Sequence, residues 1–267
     1  MLRNLLLKTL RDQRIPVLAY GLGLGALALL VIAIYPSFAA SGAELEEAMK
    51  NLPDAYKAFT GGVLSLTEFD GYLVSQYLII LPLILAIFAI IEGTGALRGE
   101  EERGTMDTLL SLPISRSQVV LHKTAATLLS LVLVLVIIGV VLWVSVGFVD
   151  EATLELDRLA LVMLNAFGMG ALFYCFSLFL SASLPSRRLA GVLGAVFTVG
   201  AYFFDAMTDI VENLYDYRIL GPFNYFEPLA VLREDISFQD PAVLLGASLV
   251  FLAMAVFIFR RRDIAGI

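Results

Sequence analysis

The sequence predicts an all-α integral membrane protein. It has six transmembrane helices, cytoplasmic N- and C-termini, an amphipathic N-terminal interfacial helix and a short cytoplasmic helix between spans 2 and 3. Three observations predict it. Hydrophobic residues fill 59% of the 267 positions, charged residues only 16%, and mean hydropathy is +0.86; ordinary soluble domains run at roughly 45–50% apolar and 25% charged. Uncharged apolar runs recur along the chain at about the 20 residues needed to cross a hydrocarbon core of about 30 Å. Lysine and arginine concentrate on one side of those runs.

The same composition excludes whole classes of function. A soluble globule of this size could not hide so much apolar surface. The single cysteine, Cys175, excludes an intrachain disulfide and a cysteine-based zinc site. The single histidine, His122, argues against a histidine-rich metal centre or a Ser-His-Asp triad, and no metal site is expected. Formal net charge is −7, so no nucleic-acid partner is expected, because phosphate binding wants basic faces.

In chain order, residues 1–14 read as a basic amphipathic helix lying in the inner interface. Leu2, Leu5, Leu6 and Leu10 share a face, and Arg3, Lys8, Arg11 and Arg14 lie mostly off it. The apolar run that follows, 15–36, is longer than the 7–15 residues of a signal-peptide core, so it reads as the first span. The remaining spans are 72–91, 118–149, 159–182, 189–210 and 241–259. The fifth is the awkward one. Its uncharged part, 189–204, is short of the core, so the helix either continues through Asp205 or re-enters. The period-2 alternation of a membrane barrel is absent. The chain reads as a single transmembrane domain, 1–267.

With both termini cytoplasmic, the inner segments carry 13 of the 18 basic residues and 7 of the 25 acidic ones. The flanks Arg187-Arg188 and Arg260-Arg261-Arg262 agree with that orientation. Two long outer loops, 41–71 and 205–240, are acidic. The first reads as holding a short helix near 43–49. In the second, Asp205, Asp209, Glu212 and Asp216 would share one face of a helix. That face reads either as a solvated interfacial surface or as a vestibule for cations or substrate.

The inner loop 99–116 is the most informative stretch. Thr105 can cap a short helix with Asp107 in its first turn. Met106, Leu109, Leu110 and Leu112 give that helix an apolar side, and Pro113 ends it. Ser115 to Gln118 is a capping-box pattern that starts span 3 near Arg116. Such a helix either docks a partner or lies on the lipid surface. The three glutamates Glu100 to Glu102 lean against an anionic leaflet. Within the spans Gln76, Asn165, Ser177, Ser181 and Thr198 are polar. Gln76, Asn165, Thr198 and Asp205 are the candidate substrate-path residues; interhelical hydrogen bonding is the other reading of Gln76 and Asn165. Gly21 and Gly25, and Ala166 and Gly170, are spaced for helix packing or dimer contacts.

The chain resembles the membrane subunits (permeases) of type-2 ABC transporters. Their hallmark after the second span is similar to Gly99, Glu100, Gly104, Thr105, Leu109, Leu110, Ser111, Pro113, Ser115, Arg116 and then Lys123. Before the last span, Gly221-Pro222-Phe223-Asn224-Tyr225-Phe226-Glu227-Pro228 is similar to a second family segment, and Arg261-Arg262-Asp263 to the family's ending. The resemblance implies a permease subunit of an exporter in the cytoplasmic (inner) membrane of a prokaryote. It implies a homodimer with a second permease copy, served by two copies of a separate ABC ATPase. Loop 99–116 would hold the coupling helix, with Glu100, Glu102, Arg103, Gly104, Thr105, Leu109, Leu110, Pro113 and Arg116 as the ATPase-coupling residues. Glu100 and Glu102 would pair with the ATPase or with the N-terminal basic helix. The sequence contains no G-x-x-x-x-G-K-[ST], so the chain is not expected to be an enzyme or to bind a cofactor. ATP and magnesium would sit on the partner ATPase. The alternative function is a channel, or a membrane scaffold or sensor, without active transport.

Overall fold

The computed structural model describes residues 2–50, 68–111, 114–149, 152–233 and 237–262, with side chains at all of these except 2–4, 42–50, 209 and 212. The described residues form helices and no strand. Helix α1 is Leu2–Asp12 and α2 is Arg14–Lys50. Helix α3, Phe69–Ala96, contains a π-helical turn at Val74–Leu78. Two short helices follow, α4 at Arg98–Glu102 and α5 at Met106–Leu110. Then come α6, Arg116–Val146, α7, Leu156–Ser183, and α8, Arg187–Ile210. Two 3₁₀ segments, Glu212–Leu220 and Pro222–Tyr225, lead through α9, Pro228–Arg233, to α10, Gln239–Arg261. Six of these helices, α2, α3, α6, α7, α8 and α10, are long and apolar enough to cross a membrane.

Local chemistry explains several boundaries. The capping box at the head of α6 is complete: Ser115 Oγ accepts from the Gln118 amide at 3.2 Å, and Gln118 Oε1 accepts from the Ser115 amide at 2.8 Å. Ser186 caps α8 by accepting from the Leu189 amide. Helix α8 runs unbroken through Asp205, so the fifth span continues and does not re-enter. Pro36 lies inside α2 and does not end it. Proline removes one amide donor, but the alanines and glutamates that follow favour helix. The expected outer loop therefore begins as helix, and the stretch near 43–49 is the end of α2. Residues 51–67 lie outside the described residues.

Helix α7 is the core, with 78% of its most apolar window buried. Helices α3, α6, α8 and α10 all pack on it, and α2 packs on α6. Glycine sets the closest approaches. A Cβ at Gly93 of α3 would lie 2.8 Å from the Tyr174 carbonyl oxygen of α7. Gly21 and Gly25 of α2 face Ile137 and Val141 of α6, and Gly170 of α7 faces Leu131 of α6, so these small residues serve packing within one chain. Tyr72 and Tyr77 flank and enter the π-helical turn and donate to the Val31 and Leu24 carbonyls of α2, at 2.8 and 3.1 Å. A buried phenol thereby finds its partner. The other faces of α2, α6, α8 and α10 present large apolar side chains outward, as a lipid-facing surface does.

The bundle has two polar ends. At the far end Arg158 donates to the Val231 and Leu232 carbonyls, and Arg233 pairs with Glu68. Helix α8 stops at Ile210 and the chain becomes 3₁₀, so Asp205 and Asp216 do not share one α-helical face; the side chains of Asp209 and Glu212 lie outside the described residues. The other end, here the base, gathers α1, α4, α5, the α7–α8 turn and the end of α10.

Candidate functional site

The base is built around the stretch that the sequence singled out. Leu97 interrupts the helical path at the end of α3, and α4 turns Glu100 inward. Glu100 is only 9% exposed. Its Oε1 accepts from Lys123 Nζ of α6 at 2.6 Å, and Arg103 lies 3.4 Å away. The Thr105 hydroxyl donates to the Glu100 carboxylate and to its carbonyl. Burial works against the charge of Glu100, but the Lys123 hydrogen bond and charge, Thr105 and Arg103 outweigh it. They hold the carboxyl below its ordinary value of 4.5. Thr105 is therefore committed to Glu100, and its side chain does not cap α5 as the sequence suggested.

The same segment is tied to two other spans. Glu101 Oε2 receives Arg98 and, at 2.7 Å, Arg262 from the end of α10. Arg98 also donates to the Leu184 carbonyl in the α7–α8 turn, and its amide donates to Ser181 Oγ. Glu102 Oε1 accepts from the Arg187 amide at the head of α8 at 2.7 Å. Arg116 donates to the Arg262 carbonyl. Among the described residues neither Glu100 nor Glu102 pairs with α1. Their partners are Lys123 and Arg103 for the first and the Arg187 backbone for the second.

Gly104 links α4 to α5 with φ +68°, a conformation that costs a residue with a Cβ roughly 1–2 kcal/mol. The turn aims the apolar side of α5 into the protein. Leu109 is 7% exposed and packs with Leu5 of α1 and Val119 of α6, with Leu110 and Ile114 alongside. Helix α1 is thus docked on the bundle through Leu5. Glu102, Arg103, Gly104, Asp107, Thr108 and Ser111 stay exposed and form one outward rim. Leu112 and Pro113 lie outside the described residues.

Beside this segment a cavity of about 370 Å³ opens between α1, the end of α3, α6 and the head of α8. Gln13, at the break between α1 and α2, lines it. Gln13 Nε2 donates to Glu92 Oε2 at 2.6 Å and to Thr127 Oγ1 at 2.9 Å, and Gln13 Oε1 accepts from Ser130 at 2.7 Å. Lys123 and Glu100 close one side and Arg187 another. Sequence reasoning did not place Gln13, Glu92, Lys123 or Arg187 in a site. Glu92 is detectable as the acidic residue that interrupts the apolar run of α3, and Lys123 by its position just after the hallmark.

The candidate substrate-path residues have different surroundings. Gln76 is exposed on α3 and donates to Ser75, not across helices. Asn165 is 1% exposed in α7, and among the described residues neither of its side-chain polar atoms has a hydrogen-bond partner, so the interhelical bond expected of it is not made there. Thr198 is buried and donates to the Gly194 carbonyl of its own helix. Asp205 is partly exposed near the end of α8. Cys175 is a buried free thiol.

No curated protein matches the chain. One family does: the profile described as ABC-2 family transporter protein matches residues 19–264. That match takes in the first apolar helix from residue 19 on, the other five whole, the base segment and the Pro222–Tyr225 region. The chain is therefore a multi-pass membrane protein of the ABC-2 transporter family, a permease component of an ABC transporter.

Proposed function

We propose that the chain is the permease subunit of an ATP-driven exporter. It works as a homodimer with two copies of a separate ABC ATPase, and its base faces the cytoplasm of a prokaryotic cell. The observation that carries this reading is the base segment 98–111: an exposed polar rim on a backing braced to three spans. Glu102, Arg103, Asp107, Thr108 and Ser111 offer charge and hydrogen bonds to a docked protein. Behind them Glu100 ties the segment to α6 and Glu101 ties it to α10, while Glu102 on the rim itself accepts from the Arg187 amide of α8.

The brace explains how a push on the rim reaches the membrane. ATP and magnesium, held by the partner, bring the two ATPases together. Each carries a rim with it. A displaced α4–α5 segment pulls on the bases of α6, α8 and α10 together, because cutting the Glu100 or the Glu101 tie leaves a largely buried charge unpaired. The bundle then moves between inward- and outward-open states. The basic flanks at the base, Arg14, Arg116, Arg187, Arg188, Arg260 and Arg261, support the cytoplasmic orientation.

The test is co-expression with a candidate ABC ATPase and purification through a tag on the permease. Wild type is compared with the triple variant Glu102→Ala, Arg103→Ala, Asp107→Ala. A stoichiometric complex that hydrolyses ATP, weakened in the variant, supports the reading. Failure of any ATPase to bind the wild type would leave a channel or scaffold as the function.

A further inference from the structure

The base cavity holds charged side chains of which some make no ion pair among the described residues. Glu100 is satisfied by Lys123 and Arg103. Glu92 accepts a hydrogen bond only from the neutral Gln13, and among the described residues no cation reaches ion-pair distance. The positive charges facing it are those of Arg187, Lys123 and Arg103. The Arg187 guanidinium sits over Gly95 and Gly99, where the missing side chains make room for it, and donates to the Ile91 carbonyl at 3.3 Å. It has no carboxylate partner among the described residues, and neither has Lys8 on the rim. The cavity therefore holds a guanidinium and a carboxyl group that face each other without an ion-pair contact.

Its placement adds a second constraint. Helices α2, α6 and α8 begin at this level with Arg14, Arg116 and Arg187, and α10 ends here with Arg260 and Arg261. Such a ring of basic helix ends marks a headgroup region. From the cavity mouth an apolar stripe climbs α3. Ile91 lines the cavity, and Ile87 and Ile80 lie above it on the same face, each 44–52% exposed. Their spacing, i, i+7 and i+11, is that of one helical face.

We propose that this cavity binds the headgroup of a phospholipid carrying a primary amine, a phosphoethanolamine group, with an acyl chain along Ile91, Ile87 and Ile80. This rests on the reading that the base lies at the cytoplasmic leaflet. The phosphate takes the Arg187 fork, with Lys8 closing from the rim, as guanidinium and phosphate geometry favour. The ammonium donates to Glu92. An anionic headgroup without an amine leaves Glu92 facing the phosphate. A choline headgroup has no N–H to donate, and among the described residues no aromatic side chain lines the cavity to hold it by cation–π contact. The volume is within the roughly 300–1,000 Å³ of small-ligand sites.

The test uses the full chain in detergent without any ATPase, so its outcome is independent of whether an ATPase co-purifies. Short-chain phosphatidylethanolamine, phosphatidylcholine and phosphatidylglycerol, and soluble O-phosphoethanolamine, are titrated while thermal unfolding is followed. The ethanolamine lipid is expected to bind roughly tenfold more tightly than the other two lipids. Glu92→Gln is expected to erase that preference, and Arg187→Gln to weaken all three lipids. Lys8→Gln, at an exposed position, weakens all three lipids and carries the test if Glu92→Gln or Arg187→Gln does not fold. Equal binding of the three lipids to wild type overturns the proposal, as does a preference that survives Glu92→Gln. Soluble O-phosphoethanolamine binding as tightly as the lipid overturns the lipid source and assigns the cavity to a free phosphoamine.

Discussion

Lys123 Nζ of α6 meets Glu100 Oε1 of α4 at 2.6 Å, with both side chains nearly buried. This ion pair joins the base segment to a membrane span. A buried pair stabilises little relative to apolar replacements, but stripping one partner leaves a desolvated charge behind. Lys123→Met is expected to destabilise the chain by about 3–5 kcal/mol. The double variant with Glu100→Gln is expected to cost less than the sum of the two single changes. Denaturant unfolding in detergent of the four proteins completes the cycle.

The same pair predicts a pH dependence. Glu100 has a folded-state pKa below its ordinary 4.5, so the folded state binds its proton less readily than the unfolded state does. The stability it contributes is fully present above 4.5 and is lost as pH falls through the lower folded value. Wild type minus Glu100→Gln stability is thus expected to stay constant from neutral pH down to about 4.5 and to shrink below it. Unfolding midpoints measured across that range check it, and a difference that disappears already near neutral pH contradicts it.

Gly93 and Gly200 make a contrasting pair. A methyl group on Gly93 meets the backbone of α7 at Tyr174 and Leu178, which cannot rotate away. Gly93→Ala is expected to push α3 from α7 and cost about 1–3 kcal/mol. Nothing lies within 4 Å of a Cβ on Gly200, so Gly200→Ala is expected to be neutral or to stabilise α8 by up to about 1 kcal/mol. Thermal unfolding of the two variants decides the order.

Asn165 separates stability from transport. Its amide is buried with no hydrogen-bond partner, a condition that costs roughly 1–3 kcal/mol. Asn165→Leu is expected to unfold at the same or a higher temperature than wild type. If its amide contacts cargo, ATPase stimulation in the reconstituted transporter falls while the melting temperature does not.

The amino-acid sequence by itself determined the all-helical membrane class, the number of spans and the family. These follow from hydropathy and local punctuation, which act over one helix length and need no partner. The capping box at Ser115 and Gln118 is such a local signal, and the structure makes both of its bonds. The tertiary structure alone decided the partners. Glu100, Glu101 and Glu102 are consecutive in sequence and look alike there, yet they face Lys123, Arg262 and the Arg187 amide on three different helices. Periodicity cannot say which helix will lie opposite a carboxylate, because that depends on how the spans cross. Thr105 had a local role open to it as a cap and took a distant one, since a buried carboxylate competes strongly for a hydroxyl donor. The cavity is likewise a product of assembly. Gln13, Glu92 and Arg187 are far apart in the chain and become neighbours only where α1, α3 and α8 converge at the base.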